Sequence, residues 1–288
     1  MDYKIKKDIQ LIRDFFELTQ ENLARELGVE RVRIARIESG LNYPREEFLD
    51  LLYNYCFNKG LRLNAQKEAF YKEELLANHI LLTHASRSEL VGEIKSDYGK
   101  ANNDFGKGFY CGESYEKSAS FICRSNNSSI YFLDFCLTGL NKVVFSVNQE
   151  WMLAIAFFSG RLDEYKDSEI VLKIINKIKN ADYIIAPIAD NRMFSIIDEF
   201  INGYITDEQC KHCLAATPLG LQYVFLTEKA VKNIKILEKC YISSSERNYY
   251  AKKQMDFQKQ GFDKTKLARI EYKGKGKYIE EIFKWSKK

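Results

Sequence analysis

Asp104 to Phe121 reads D-F-G-K-G-F-Y-C-G-E-S-Y-E-K-S-A-S-F, and the fold turns on how this stretch is taken. Gly106 and Gly108 bracket Lys107, and two glycines one residue apart let a backbone turn sharply and pass close to a ligand. The pair Phe109-Tyr110 predicts a short extended segment. Lys117-Ser118-Ala119 then opens a helix whose first turn can face the same cleft. A hairpin turn with core aromatics is the competing reading of the glycines, because short motifs recur by chance.

The whole string resembles the glycine–lysine–glycine–Ile–Tyr … Lys-Ser-Ala-x-Tyr signature of ADP-ribosyltransferases of the poly(ADP-ribose) polymerase and diphtheria-toxin type. The match includes the spacing from the tyrosine to the Lys-Ser-Ala helix. The resemblance implies that the stretch forms the nicotinamide end of an NAD site, with NAD as substrate. Gly108 then supplies backbone to the nicotinamide amide beside Phe109, and Ser118 aligns with the serine that hydrogen-bonds that amide. Tyr110 and Phe121 align with the two tyrosines that sandwich the ring; Phe121 keeps the stacking face and loses the hydroxyl.

About twenty residues upstream, Ile80-Leu81-Leu82-Thr83-His84-Ala85-Ser86 predicts a short buried strand with a polar end. Transferases of the histidine type carry His-Gly-Thr/Ser there, on the adenosine ribose and the nicotinamide amide. By that resemblance Thr83, His84 and Ser86 lie at the cofactor, and Ala85 replaces the glycine, putting a methyl where backbone passes close. In the polymerase family a glutamate opens the last strand (Glu-Tyr-x-Val-Tyr); Leu221-Gln222-Tyr223-Val224-Phe225 places Gln222 there. An amide orients a ribose hydroxyl but gives up the anion opposing the oxocarbenium-like charge, and one lost electrostatic group costs ~10²–10³ in rate. His84, Tyr110 and Gln222 are therefore the expected catalytic set. Glu228 lies beyond the strand and is left out of it.

Between these segments, Ser129–Phe135 and Val143–Phe145 predict strands, and Asn148 caps a helix that runs to Ser159-Gly160. Asp182 to Phe194, including Asp190, reads as strand, loop and helix, and Thr206-Asp-Glu-Gln starts one more helix. Together they resemble a bacterial ADP-ribosyltransferase-like family catalogued as a domain of unknown function, over about Leu81 to Leu237.

At 288 residues the chain has room for two domains, and 45% hydrophobic residues suffice for a buried core. No apolar run approaches the ~20 residues of a membrane span. The N-terminal M-D-Y-K-I-K-K-D lacks a signal peptide's apolar segment, so no membrane partner is expected. Seven cysteines, odd in number and scattered, suit a reducing cytoplasm better than a disulfide framework. Cys210-Lys-His-Cys213 has no second pair to complete a four-ligand zinc site, and no metal is expected.

Nearer the start, apolar residues at Ile9, Ile12, Phe16, Leu23 and Leu27 keep helical spacing. Thr19-Gln20-Glu21-Asn22 reads as a capping box. Gly28 ends that helix, and Val32 to Glu38 forms another, closed by Ser39-Gly40. T-Q-E-N-L-A-R-E-L-G-V-E-R-V-R-I-A-R-I-E-S-G resembles the helix-turn-helix of Cro/phage-repressor-type regulators, whose second helix lies in the major groove. Arg31, Arg33 and Arg36 are then candidate DNA contacts, Gln20 is placed as the phosphate anchor, and Ile34 and Ile37 face the core. A helical scaffold for dimerisation or docking is the alternative. Residues 1–60 favour that alternative mildly, holding ten Lys/Arg against eleven Asp/Glu.

The expected class is α+β: a small all-α helix-turn-helix domain followed by an ADP-ribosyltransferase-like split β-sheet domain with flanking helices. Boundaries fall at 1–62 for the DNA-binding domain, 63–78 for a helical connector, 79–240 for the NAD-binding domain and 241–288 for a basic extension. That extension carries a local charge of +7 against −3 for the rest, which suits an acidic partner such as nucleic acid or else a solvated, partly disordered end. The leading function is a mono-ADP-ribosyltransferase acting on a macromolecular acceptor, protein or nucleic acid, as a toxin or phage-defence effector. DNA, an antitoxin and a second copy of the chain are its expected partners. A transcription regulator with a catalytically weak domain that senses NAD or ADP-ribose is the alternative.

Overall fold

The computed structural model describes residues 2–125, 128–189, 191–216 and 219–284. Asp190 and the last four residues of the basic extension, 285–288, lie outside these. The chain is mixed α/β, with an N-terminal helical region and a seven-stranded mixed sheet. In chain order the elements are α1 (Ile5–Phe15), α2 (Gln20–Leu27), α3 (Arg31–Glu38), α4 (Glu46–Asn58), α5 (Leu63–Glu74), β1 (His79–Ser86), β2 (Phe109–Gly112), α6 (Tyr115–Ile122), β3 (Ser129–Cys136), β4 (Lys142–Val144) and α7 (Gln149–Phe158). There follow α8 (Glu169–Lys179), β5 (Tyr183–Pro187), α9 (Asn191–Ile201), α10 (Asp207–Leu214), β6 (Leu221–Phe225), α11 (Glu228–Val231), β7 (Ile234–Cys240), α12 (Ser244–Glu271) and α13 (Ile279–Lys284). Among the described residues no helix is long and apolar enough to cross a membrane.

Two compact units divide the chain: Met1–Glu89 with Ser114–Asp134 and Lys235–Lys253, and Leu90–Glu113 with Phe135–Ile234 and Gln254–Lys288. In the first, the Thr19 hydroxyl accepts from Asn22 N at 3.1 Å and starts α2. Gly28 ends it in the left-handed region at φ 66°, a conformation that costs glycine little. Leu23, Leu27, Ile34 and Ile37 close over Ile9, Ile12, Phe48 and Leu52 in one core, as the periodicity predicts, and Tyr241 joins that core.

Charge as well as apolar packing holds this unit. Lys67 of α5 donates to Glu238 of β7 at 2.6 Å and pairs with Asp8 of α1. The Tyr53 hydroxyl donates to Asp8 and that of Tyr71 to Glu238. Burial pulls the Lys67 ammonium down, but the carboxylates of Asp8 and Glu238 outweigh it and leave its pKa raised. One buried cation between two buried anions holds three elements in register, because removing any member strands a charge. Asn64 adds a neutral tie, its amide donating to the Tyr115 hydroxyl and to Tyr241 O, each at 2.8 Å. The segment expected as a connector is thus part of a packed unit. Strands β1, β3 and β7 lie side by side here.

The second unit carries β4, β5, β6 and β2 in that order, β4 parallel to β5 and the other pairs antiparallel. On one face Val224, Ile184 and Ala186 meet Trp151, Met152, Ile174, Ile196 and Phe200 from the packed helices. On the other, Phe225 contacts Phe109, Phe135 and Tyr183, with ring centroids between 4.6 and 6.3 Å apart. Thr206 and Gln209 close a reciprocal capping box on α10. The basic extension is helical, as α12 and α13, where a partly disordered end was one of two expectations.

Candidate functional site

The residues assigned to NAD divide between the units. In the first, Thr83 is fully buried at the centre of β1. Its hydroxyl donates to Ser114 O at 2.9 Å and lies 2.7 Å from the Ser118 hydroxyl. A hydroxyl has one proton. Because that of Thr83 goes to Ser114 O, Ser118 donates to Thr83, and the Ser118 oxygen keeps its acceptor capacity. Ser114 caps α6 and so fixes Ser118 in the helix's first turns. His84 is half-buried, its ring centroid 6.4 Å from that of Tyr131. Ser86, also half-buried, accepts from Ser88 N at 3.3 Å. Phe121, three residues beyond Ser118, is 70% exposed, which leaves its ring open to a stacking partner.

In the second unit the double-glycine turn has a structural cause of its own. A Cβ on Gly108 would lie 2.7 Å from Val224 Cγ1 and 3.3 Å from Phe225 O, so the close approach is to β6. The Gly108 carbonyl accepts from Gly99 N at 2.8 Å. Phe109 is 1% exposed and its ring belongs to the core, so only its backbone is available to a cofactor. The Tyr110 hydroxyl donates to Gly106 O at 2.7 Å and accepts from Phe105 N at 3.1 Å. Burial pushes that hydroxyl above the ordinary phenol range, so it stays neutral, and the ring rather than the hydroxyl is what Tyr110 can offer.

Gln222 stands opposite Gly112 and Ala186 in the register, 7% exposed. Its amide nitrogen donates to Asp104 Oδ2 at 2.6 Å and to Pro187 O at 3.0 Å. Both amide protons are thereby placed, and what Gln222 can present is Oε1, an acceptor only. Asp104 also accepts from Ala189 N at 3.1 Å. Sequence reasoning missed Asp104, although it is the first residue of the decisive stretch. An anion therefore sits within hydrogen-bond distance of the side chain expected to have lost one. Glu113, at the end of β2, accepts from Leu221 N at 3.0 Å. Glu228 accepts from Ser96 N and Oγ, which holds its carboxyl below the usual range and occupies it structurally.

On the first unit's third helix, Arg31, Arg33 and Arg36 are all exposed while Ile34 and Ile37 are buried. The Arg33 guanidinium lies 4.7 Å from the Phe48 ring centroid. The Gln20 amide donates to Glu38 at 2.7 Å, and Glu38 also accepts from Arg13 at 2.6 Å. Cys210 and Cys213 are buried, and their thiols contact the Ile196 and Thr265 carbonyls.

Comparison with known families places the chain. It belongs to the family described as a protein of unknown function (DUF3990), whose profile matches residues 80–236. No curated protein and no solved structure matches it.

Proposed function

We propose that this member of the DUF3990 family is an NAD-dependent mono-ADP-ribosyltransferase with a split β-sheet of the histidine type and a DNA-binding helix-turn-helix. The observation that carries the reading is the Asp104–Gln222 pair. With both amide protons bound, Gln222 offers Oε1 to a ribose hydroxyl as a carboxylate would, and Asp104 supplies the negative charge behind it. Breaking the nicotinamide–ribose bond develops positive charge on the sugar, and a preorganised anion lowers that barrier. The charge acts through an intervening amide and is weaker than in direct contact, which suits single transfer better than polymer synthesis.

The first unit's residues carry groups whose chemistry suits NAD. Ser118 has an acceptor oxygen for an amide N–H, His84 an imidazole for a ribose hydroxyl, and Phe121 an open aromatic face. The exposed arginines of α3 support major-groove or phosphate contacts. A second reading, NAD sensing with little turnover, is favoured by the fact that Gln222 is also held by Pro187 O, as a scaffold residue would be.

The test incubates the full chain with NAD labelled in the adenosine half, in separate mixtures with cell protein, DNA and RNA. Transfer is expected into one class with equimolar nicotinamide release, and Asp104→Asn should slow release about 10²-fold. NAD that raises the melting temperature but is never cleaved assigns the protein to the sensing reading.

A further inference from the structure

The transferase and helix-turn-helix readings leave the basic extension without a role. Residues 254–277 hold seven Lys/Arg against three Asp/Glu, so the second half of α12 and the turn after it are cationic. Lys259 and Lys266 are seven residues apart and therefore line one side of α12, about 10 Å apart at 1.5 Å per residue, and Lys273 follows in the turn that ends it. All three are exposed, as is Lys264, and none of the four forms an ion pair with another described residue. Elsewhere in this unit Lys173, Lys177, Lys211 and Arg269 are each paired with a glutamate.

Past the helix end the chain reads Tyr272-Lys-Gly-Lys-Gly-Lys277, and its shape is fixed. Gly274 and Gly276 take φ 72° and 86°, and a Cβ on Gly276 would lie 2.9 Å from Glu208 Cβ. Thr206 Oγ1 donates to Lys275 O, Lys277 N donates to Asp207 Oδ1 at 2.7 Å, and Asp207 N donates to Lys277 O at 2.9 Å. The turn is thus pinned to the start of α10 by its backbone, while the Lys273 and Lys275 side chains stand outward. Lys275 lies over the Tyr272 ring at 4.7 Å, and that ring stacks on His212 at 3.5 Å. The neighbouring carboxylates are engaged: Glu208 with Lys211 and His212, Glu199 with Arg269.

Phe262 sits between Lys259 and Lys266 on the same side, 67% exposed. A line of cations that form no ion pair among the described residues, with an open aromatic face among them, matches a linear polyanion that carries stackable rings. A lipid surface fits less well. An interfacial helix sets its apolar and cationic side chains on opposite faces, whereas the exposed Met255, Phe262 and Ile270 share a side with Lys259 and Lys266, and Leu267 is turned well away from Phe262.

We infer that Lys259, Lys266, Lys273 and Lys275, with Phe262, form a binding surface for single-stranded nucleic acid. It is carried by residues other than those of α3 and does not depend on the transferase reading. A paired duplex withholds its base faces from Phe262, so a single strand binds more tightly here.

The test titrates the full chain with a fluorescein-labelled oligothymidylate about 16 nucleotides long and follows anisotropy between about 50 and 200 mM salt. Log affinity should fall linearly with log salt. Replacing the four lysines by glutamine should weaken binding at least tenfold and flatten the slope by about 3, at ~0.7 per phosphate on a single strand. Phe262→Ala should weaken binding about tenfold with the slope unchanged. Lys173→Gln, on α8 and paired with Glu169, should leave single-strand binding as it was. An unchanged affinity in the lysine variant overturns the inference. So does polyglutamate binding as tightly as the oligonucleotide while Phe262→Ala is silent, which marks an unspecific charged surface. Binding of phosphatidylserine vesicles in place of the oligonucleotide, lost in Phe262→Ala, reassigns the surface to membrane and equally overturns it.

Discussion

At Gln222 the electrostatics depend on a neighbour. Glutamate at this position would place a second carboxylate against Asp104 Oδ2 and a lone pair against Pro187 O, where two N–H donors now stand. Gln222→Glu is therefore expected to destabilise the fold by about 1–3 kcal/mol, the cost of unsatisfied buried groups. Adding Asp104→Asn exchanges carboxylate and amide across the same bond and should restore most of that loss in urea unfolding. A double variant no more stable than Gln222→Glu alone would remove the pair from the account. Phe121 permits a simpler measurement. NAD should raise the melting temperature of the full chain by mass action, and Phe121→Ala, at a 70% exposed site, should abolish the rise without unfolding the protein. The glycine turn, β2 and the start of α6 were legible as local structure, because glycines, an aromatic pair and a capping serine lie at short offsets along the chain. Asp104 lay in the same stretch, but its contact with Gln222 spans 118 residues, a separation that no local pattern encodes.

Among elements, the start of α12 holds a carboxyl whose burial is readable as a pH response. Glu246 is 6% exposed, and burial pushes its carboxyl up to about 7. Facing it are Tyr115 of α6, Asn64 of α5, Arg62 just before α5, Cys240 of β7, and Arg247 and Tyr250 of its own helix. The folded state therefore keeps a proton that the unfolded chain releases near the ordinary carboxylate value. Stability from this group is fully present below that value, about 4.5, and is lost as pH rises through about 7. The swing is on the order of 3 kcal/mol. Glu246→Gln should flatten unfolding free energy between those pH values, and an unaltered slope would show that the carboxyl does not titrate in that window. Elements that alternate or cap cleanly, such as α2, α7 and β6, were legible in sequence. Strand β7 was not: Glu238 and Lys239 break its apolar pattern, yet both are buried, one held by Lys67 and Tyr71 and the other by Glu89. Helix α12 was hidden for the opposite reason, since Met255, Phe262, Leu267 and Ile270 are apolar but exposed and give no single buried face.

On the scale of the whole molecule, the N-terminal helical region is not a detachable module. Its helix α1 is tied through Asp8 and Lys67 to Glu238, and Asn64 reaches Tyr115 and Tyr241. A fragment ending near residue 76 loses Glu238, Tyr115 and Tyr241 at once, stranding the buried Asp8–Lys67 pair and opening the core where Tyr241 packs. Such a fragment is expected to unfold without a cooperative transition, so the proposed DNA binding has to be tested on the full chain. Residues 1–60 are close to neutral, with ten Lys/Arg and eleven Asp/Glu, and long-range attraction to DNA from this segment is accordingly weak. The proposed DNA binding would then rest on local contacts of α3. Arg33→Ala and Arg36→Ala should each weaken binding of a duplex from the region upstream of the coding sequence. Where the lost contact is to a phosphate, the salt slope should also fall by about 1. Arg33→Ala additionally uncovers the Phe48 ring, so Arg33→Lys, which keeps the charge but not the flat guanidinium stack, separates the two roles. Duplex affinity retained in Arg33→Lys but lost in Arg33→Ala assigns Arg33 to phosphate. Equal loss in both assigns it to a bidentate base contact or to the stack on Phe48, and the melting temperature tells these apart, since only the stack contributes to stability without DNA. If neither arginine matters to any duplex at low salt, α3 is a docking surface and the helix-turn-helix resemblance carries no DNA.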